Sequence, residues 1–207
     1  MRLAIVGGTG AFGRALVERL RGTDDEVAIG SRDAGRAHEL AVTYGIEGGA
    51  NEDVVRRADL VVLAVRSNAA LDTARSLSGA IGSTPLLSVA SDLRFTEDTV
   101  LPGRLGHSLA EEIADVVDAP VAAGLQSLAA VHLSQQDPPD EDALVCGDDA
   151  RAKDVALELG SKLVTGRALD AGPLANARAL EGLTAILLNV NKRYRVHAGL
   201  RLTGLRD

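Results

Sequence analysis

Short runs rich in Val, Ile, Leu and Ala alternate along the chain with segments whose apolar residues recur every three or four positions. That alternation predicts a mainly parallel sheet covered by helices, an α/β architecture. Arg2 to Val6, Glu26 to Ile29, Leu60 to Val65, Pro85 to Val89, Val121 to Leu125 and Ala143 to Cys146 read as strands. Between the first two, Phe12, Leu16, Val17 and Leu20 share one helical stripe, which gives a strand-turn-helix-strand unit at the start of the chain. Asp33 is placed to cap a second helix that runs to Tyr44. Ser134 to Asp142 (SQQDPPDED) combines paired prolines with dense acids, so it reads as a surface loop near a domain boundary. Beyond it, Asp149 to Lys162 has helical period and Ala168 to Leu174 reads as a short strand ending in a Gly-Pro turn. Ala175 to Asn191 follows as one helix, and its stripe of Leu180, Leu183, Ile186, Leu187 and Val190 predicts burial, with a second copy of the chain as one partner.

Composition narrows the setting. A chain of 207 residues, 46% hydrophobic and 25% charged, fits one globular domain or a domain with a small appendage. The single cysteine, Cys146, rules out an internal disulfide and a Cys-rich metal site, and it points to a reducing cytoplasm. No export signal is visible at MRLAIVGG, and the longest apolar run, Leu60 to Val65, is far short of the ~20 residues that cross a bilayer. The chain therefore reads as soluble. A net charge of −7 argues against nucleic acid as a partner. The charge is also uneven. Leu105 to Ala150 holds ten acids and no lysine or arginine, whereas Asn191 to Asp207 carries Lys192, Arg193, Arg195, Arg201 and Arg206 against one acid. An anionic ligand should favour the second stretch, unless the two are only a solvated acidic face and a basic tail.

The sharpest chemical signal is Gly8-Thr9-Gly10-Ala11-Phe12-Gly13, a G-x-G-x-x-G directly after the first strand and before the first helix. Gly8 permits a tight turn, Gly10 lets backbone approach a pyrophosphate, and Gly13 allows close helix-strand packing, while the helix amides meet the anion. This predicts a Rossmann-type doubly wound sheet that binds a dinucleotide, the alternative being a glycine turn used for packing alone. NAD-binding proteins place an acid at the tip of the second strand, but here the chain reads Gly30-Ser31-Arg32. A hydroxyl beside a guanidinium, with Arg36 one turn later, suits the 2′-phosphate of NADP, and Asp33 lies past the tip where helix capping fits it better. No acid-base pair emerges: His38 lies on the second helix, His107 in a loop, His132 after the fifth strand and His197 in the basic tail, the lysines are only three, and Tyr44 and Tyr194 lie outside obvious strand ends. His132 is the best of these as a catalytic candidate.

With those features in hand, nearly the whole chain resembles the NADPH-dependent F420 reductase family, also called F420H2:NADP oxidoreductase. The matching stretches are GGTGAFG at Gly7 to Gly13, GSR at Gly30 to Arg32, DTARSL at Asp72 to Leu77, VCGDD at Val145 to Asp149 and LDAGPLANARALEGLTAILL at Leu169 to Leu188. The glycine loop is shared by many families, and the last two stretches together are much more particular. The resemblance implies a hydride passed between the nicotinamide of NADP(H) and the deazaflavin ring of coenzyme F420, with no metal. It also implies a homodimer and an interdomain cleft. Residues 1–140 would form the NADP-binding domain, with Gly8, Thr9, Gly10, Ala11, Phe12, Ser31, Arg32, Arg36 and Val65 around the dinucleotide. Residues 141–207 would form a small C-terminal domain that completes the cleft.

F420 is then expected between Gln126-Ser127-Leu128 and the turn holding Leu174 and Asn176, with its anionic tail drawn to the bases between Lys192 and Arg201. Two redox cofactors supply the chemistry themselves, which fits the lack of a catalytic acid among the residues. Gln126-Ser127-Leu128-Ala129 stands where better-known members have His-Thr-Ile-Pro, and Arg66-Ser67 where they often have a proline and an aromatic. Both departures are expected to face the acceptor. They keep two alternatives open: an NADP-dependent reductase of an imine, enol or small carbonyl, and a non-catalytic NADP(H)-binding sensor.

Overall fold

The computed structural model describes residues 1–104 and 106–205; Leu105, Arg206 and Asp207, which belong to the two charge-biased stretches above, lie outside the described residues. The chain runs β1 (Arg2–Val6), α1 (Ala11–Leu20), β2 (Glu26–Ser31), α2 (Ala34–Tyr44), β3 (Glu47–Ala50), α3 (Asn51–Val55), β4 (Leu60–Leu63) and α4 (Ser67–Ile81). It continues through β5 (Leu86–Ser88), the hairpin β6 (Leu93–Phe95) and β7 (Val100–Pro102), then α5 (Leu109–Ala114), β8 (Val121–Gly124) and α6 (Ala130–Leu133). It ends with β9 (Ala143–Gly147), α7 (Ala150–Leu163), β10 (Ala168–Asp170), a 3-10 turn at Leu174–Asn176 and α8 (Ala177–Tyr194).

Eight strands form one sheet in the order β10-β9-β8-β5-β4-β1-β2-β3, parallel throughout except where β9 runs antiparallel to β8. Alternate side chains of each strand feed two cores. Leu3 and Ile5 of β1 pack with α1, α6 and α7 on one face, while Ala4 and Val6 pack with α4, α5 and α8 on the other. Strands covered on both faces need continuous apolar runs, and Leu60 to Leu63 is buried at every position. Caps fix the helix ends: Asp33 accepts from the Arg36 amide at 3.1 Å, Asp149 from the Ala152 amide at 2.8 Å, and Ser108 with Glu111 forms a capping box on α5.

Three features differ from the sequence reading. β3 lacks apolar alternation because it is an edge strand of Glu-Gly-Gly-Ala, and a side-chain carbon on Gly48 would fall 2.5 Å from the Ala37 carbonyl of α2. The sheet also runs across residue 140, since β9 and β10 extend it beyond β8. In α8 the buried positions are Ala177, Leu180, Glu181 and Ala185, whereas Ile186 is 59% exposed and Leu183, Leu187 and Val190 are half-buried. The predicted stripe is therefore only partly covered within the chain. Among the described residues no helix is long and apolar enough to cross a membrane.

Candidate functional site

β1 pairs with β2 on one side and β4 on the other, so the chain leaves the sheet in opposite directions around the carboxyl end of β1. Such a switch point opens a crevice that helices cannot fill. The turn into α1 is shaped by crowding. Gly7 takes φ +85° and a side-chain carbon there would sit 2.8 Å from the Ala64 carbonyl, so the left-handed position falls at Gly7, one residue before the Gly8 expected from the motif. Gly13 lets α1 lie against the turn, its would-be side chain 2.6 Å from the Gly8 Cα. Gly10 differs: it is exposed, and its would-be side chain meets only the Gly7 carbonyl, at 3.2 Å. Nothing in the chain fills the space above it.

A cavity of about 570 Å³ occupies this crevice, a size typical of cofactor sites. One wall carries Gly7, Thr9 and Gly10; another carries Ser31, Arg32 and Arg36; Val65 lies at the end of the third. Gly8 is buried behind the turn, Ala11 is exposed on the first turn of α1, and Phe12 is half-buried against the core. Asp33 also borders the cavity, but its carboxylate is taken up by the cap on α2 and the Ser31 hydroxyl accepts from the Asp33 amide at 3.2 Å. Sequence reasoning missed Asn51, Asn68 and Thr73 here, and it turned Arg66 to the acceptor side. Arg66 instead lines this cavity, because β4 ends at Leu63 and the chain turns at once into α4 beside the crevice.

The second group of expected residues follows β8. Leu125, fully buried, is held at φ +68°, a costly conformation for a residue with a side chain, and it turns the chain so that Gln126 and Ser127 lie under neighbouring loops. The Gln126 amide donates to the Ser88 carbonyl at 3.3 Å, and Thr184 of α8 donates to the Gln126 carbonyl at 2.9 Å while bonding Ser91 at 2.8 Å. The buried Gln126 Oε1, Ser88 Oγ and Ser127 Oγ have no hydrogen-bond partner among the described residues. Leu128 packs with α1, α6 and α7, and Leu174 in the core on the other face of the sheet.

Leu174 and Asn176 do not join Gln126. Because β9 and β10 run against β8, the residues after them emerge at the opposite end of the strands, where the Leu174 backbone amide donates to the Asp148 carboxylate and the Asn176 side-chain amide to the Ala171 carbonyl. Strand direction, invisible in composition or period, separates the two halves of the expected acceptor site.

Two bases of the tail are committed as well, while Arg193 and Arg195 are exposed. Lys192 donates to the Glu97 and Asp98 carbonyls at 3.1 Å, and Arg201 pairs with Asp140 of the acidic loop. Asp142 anchors the tail by accepting from the Leu202 amide at 2.8 Å, and the Arg167 guanidinium beside it holds its carboxyl down at about 2. His132, the best histidine candidate, is buried against Glu141 with His197 at 6.1 Å, away from the cavity's lining. Burial pushes the Cys146 thiol up to about 12, out of reach of nucleophilic chemistry at neutral pH. Glu181 of α8 accepts from the Leu109 and Ala110 amides at 3.2 Å, and burial pushes its carboxyl up to about 7. Among the described residues no cluster of three or more His, Cys, Asp or Glu could hold a metal ion.

Comparison with known proteins adds three findings. Residues 2–92 match the model of the family described as NADP oxidoreductase coenzyme F420-dependent. The chain is 34% identical to the F420-dependent NADP reductase of Methanothermobacter thermautotrophicus, with 99% of this chain and 96% of that one aligned. The same-named protein of Methanocaldococcus jannaschii is 32% identical, with 99% of each covered. In fold, the chain superposes on the crystal structure of a protein described as a putative F420-dependent NADP reductase from Arthrobacter sp. FB24, with TM-score 0.81 at 24% identity and full coverage of both chains.

Proposed function

The chain belongs to the coenzyme F420-dependent NADP oxidoreductase family, and we propose that it exchanges a hydride between NADP(H), held in the cavity at the end of β1, and F420. The observation that carries this reading is the cavity itself. An uncluttered glycine turn at the N-terminus of a ten-residue helix meets a wall of Ser31, Arg32 and Arg36 in one space of about 570 Å³. The amides of α1 above Gly10, with Thr9, Ala11 and Phe12 close by, would bind the diphosphate. Ser31, Arg32 and Arg36 would take the 2′-phosphate, with Arg66 adding positive charge, and Val65 would border the dinucleotide beyond.

The nicotinamide and the deazaflavin supply the hydride donor and acceptor when bound, so the protein needs to bind, orient and exclude water rather than transfer protons. On the acceptor side that work would fall to Gln126 and Ser127, whose buried side-chain oxygens have no partner among the described residues. Residues 1–140 would serve NADP(H) and residues 141–207 would close the acceptor side. The half-covered face of α8 would be completed in a homodimer, and the unbridged thiol suits a cytoplasmic enzyme.

The test is direct: mix the protein with NADP+ and reduced F420 and follow the deazaflavin absorbance. Turnover is the expected result. Inertness with F420 combined with NADPH-dependent reduction of an imine or carbonyl would replace the acceptor, and inertness throughout would leave a binding protein.

A further inference from the structure

Asn51 is the first residue of α3 and stands directly after β3, whose register pairs Ser31 with Ala50 and Gly30 with Gly49. It therefore sits one strand across from the Ser31-Arg32 corner. It is only 9% exposed, yet it lines the cavity, and its Oδ1 has no hydrogen-bond partner among the described residues. Helix capping does not account for it, since Ala50 is the capping residue of α3 and no side-chain cap bond is made. Gly30 makes room for the carboxamide: a side-chain carbon on Gly30 would fall 2.7 Å from Asn51 Oδ1. The amide thus lies across the tip of β2, the place where NAD-binding folds present a carboxylate to the ribose. A buried polar group left unpaired is unfavourable and calls for a partner.

We propose that Asn51 binds the adenosine ribose of NADP(H) and, through being uncharged, helps to select a 2′-phosphate over a free 2′-hydroxyl. The proposal rests on the assignment of the cavity to NADP(H). A carboxamide offers both an acceptor for a ribose hydroxyl and a donor for a phosphate oxygen. A carboxylate in the same place would accept from a free hydroxyl but repel a phosphate carrying about −1.5 to −2 charge. Asn51 and Arg32 then act on the same discrimination from adjacent strands, one by omitting a negative charge and the other by adding a positive one.

Equilibrium titration of the full chain with NADPH, NADH and 2′,5′-ADP tests this, with thermal melts to count folded protein. Asn51→Ala should weaken NADPH and 2′,5′-ADP by a similar factor of about ten, since both carry the same ribose. Asn51→Asp should weaken NADPH further while leaving NADH unchanged or tighter. Asn51→Ser, which keeps a small polar group, serves in place of the alanine variant if that one does not fold. Wild-type affinity for NADPH and 2′,5′-ADP in the alanine or serine variant overturns the proposal, as does an equal loss of NADPH and NADH in the aspartate variant. A selective loss of NADPH in Arg32→Ala beside a silent Asn51 removes Asn51 alone. Failure of the wild-type chain to bind either NADPH or 2′,5′-ADP removes the NADP(H) assignment beneath it.

Discussion

At the end of β1 the groups that face the cavity stand uncommitted: Gly10 opens on to empty space, and Arg32 and Arg36 are exposed beside it. At the end of β8 the polar groups are instead buried and linked, Gln126 to Ser88 and Thr184, and Thr184 to Ser91. The first region, the proposed receptor for an anion, faces the cavity with groups that do not hold the fold together, although Gly7, Gly13 and Gly30 behind them have no room for a side chain. The second is a packed seam between β8 and α8, so any ligand there is read by residues that also hold the protein together. The family model covers residues 2–92, which contain the first region and, of the second, only Ser88 and Ser91. Binding and stability should therefore separate cleanly on one side and remain coupled on the other.

The largest effect should come from Gly10→Val. Its backbone, at φ −78° and ψ 169°, accepts a β-branched residue, and the new side chain would project into the space reserved for the diphosphate. NADPH titration should show binding lost with an unchanged melting temperature; retained binding in a normally folded variant contradicts the receptor view.

The seam should instead reveal itself through pH. Burial raises the Glu181 carboxyl from 4.5 in the unfolded chain to about 7, so its contribution is fully present below pH 4.5 and is lost as pH rises to about 7. At 1.36 kcal/mol per unit this is on the order of 3 kcal/mol. Denaturant melts of the wild type and Glu181→Gln at pH 5 and pH 8 should diverge, with the wild type losing more on going to pH 8. Parallel behaviour would mean that the two α5 amides hold Glu181 charged throughout.

Next in size is Arg32→Ala, which removes a charge-assisted bond to the 2′-phosphate worth about 1.5–3 kcal/mol, roughly a 10- to 150-fold loss for NADPH. NADH affinity and the melting temperature should stay put. Equal losses for both nucleotides would make the arginine structural.

The smallest change expected is that of Gln126→Leu. It removes the bond from Gln126 to the Ser88 carbonyl and a polar contact proposed for the acceptor, so the KM for F420 should rise about fivefold with a lowered melting temperature and an unchanged KM for NADPH, in line with ~1 kcal/mol for one neutral hydrogen bond. A matching rise in the NADPH KM would show one continuous site rather than two unlike regions.

The difference between the regions also governs how much of them could be read from the chain. The glycine turn, the Ser31-Arg32 corner and the Asp33 cap are local signals, each set within a few residues of one strand end, and they stand together in the structure. Asn51 escaped because Glu47–Ala50 has neither apolar alternation nor bulk, so nothing marked a strand that would carry the next residue to the cavity. Arg66 was not expected beside the Ser31-Arg32 corner, because strand length, Leu63 against Val65, decides which wall the following residue faces. Leu174 and Asn176 failed for a different reason. The loop Ser134 to Asp142 reads as a boundary, but it delivers β9 into the same sheet in the reverse direction, and no local property of β9 encodes that reversal.

The strand order has a further meaning in time. Counting outward from β1, one flank of the sheet is β2 then β3 and the other is β4, β5, β8, β9 and β10, so on each flank every new strand docks on one already made. A ribosome releasing this chain from its N-terminus would deliver each edge to a waiting template, and long unpaired edges would be brief. The crevice at the end of β1, which is lined by residues no later than α4, could close while the seam at β8 and α8 is still being synthesised. A ligand proposed there would then be able to brace a nascent protein in which residues 198–202 have yet to cross Asn191 and Asp142.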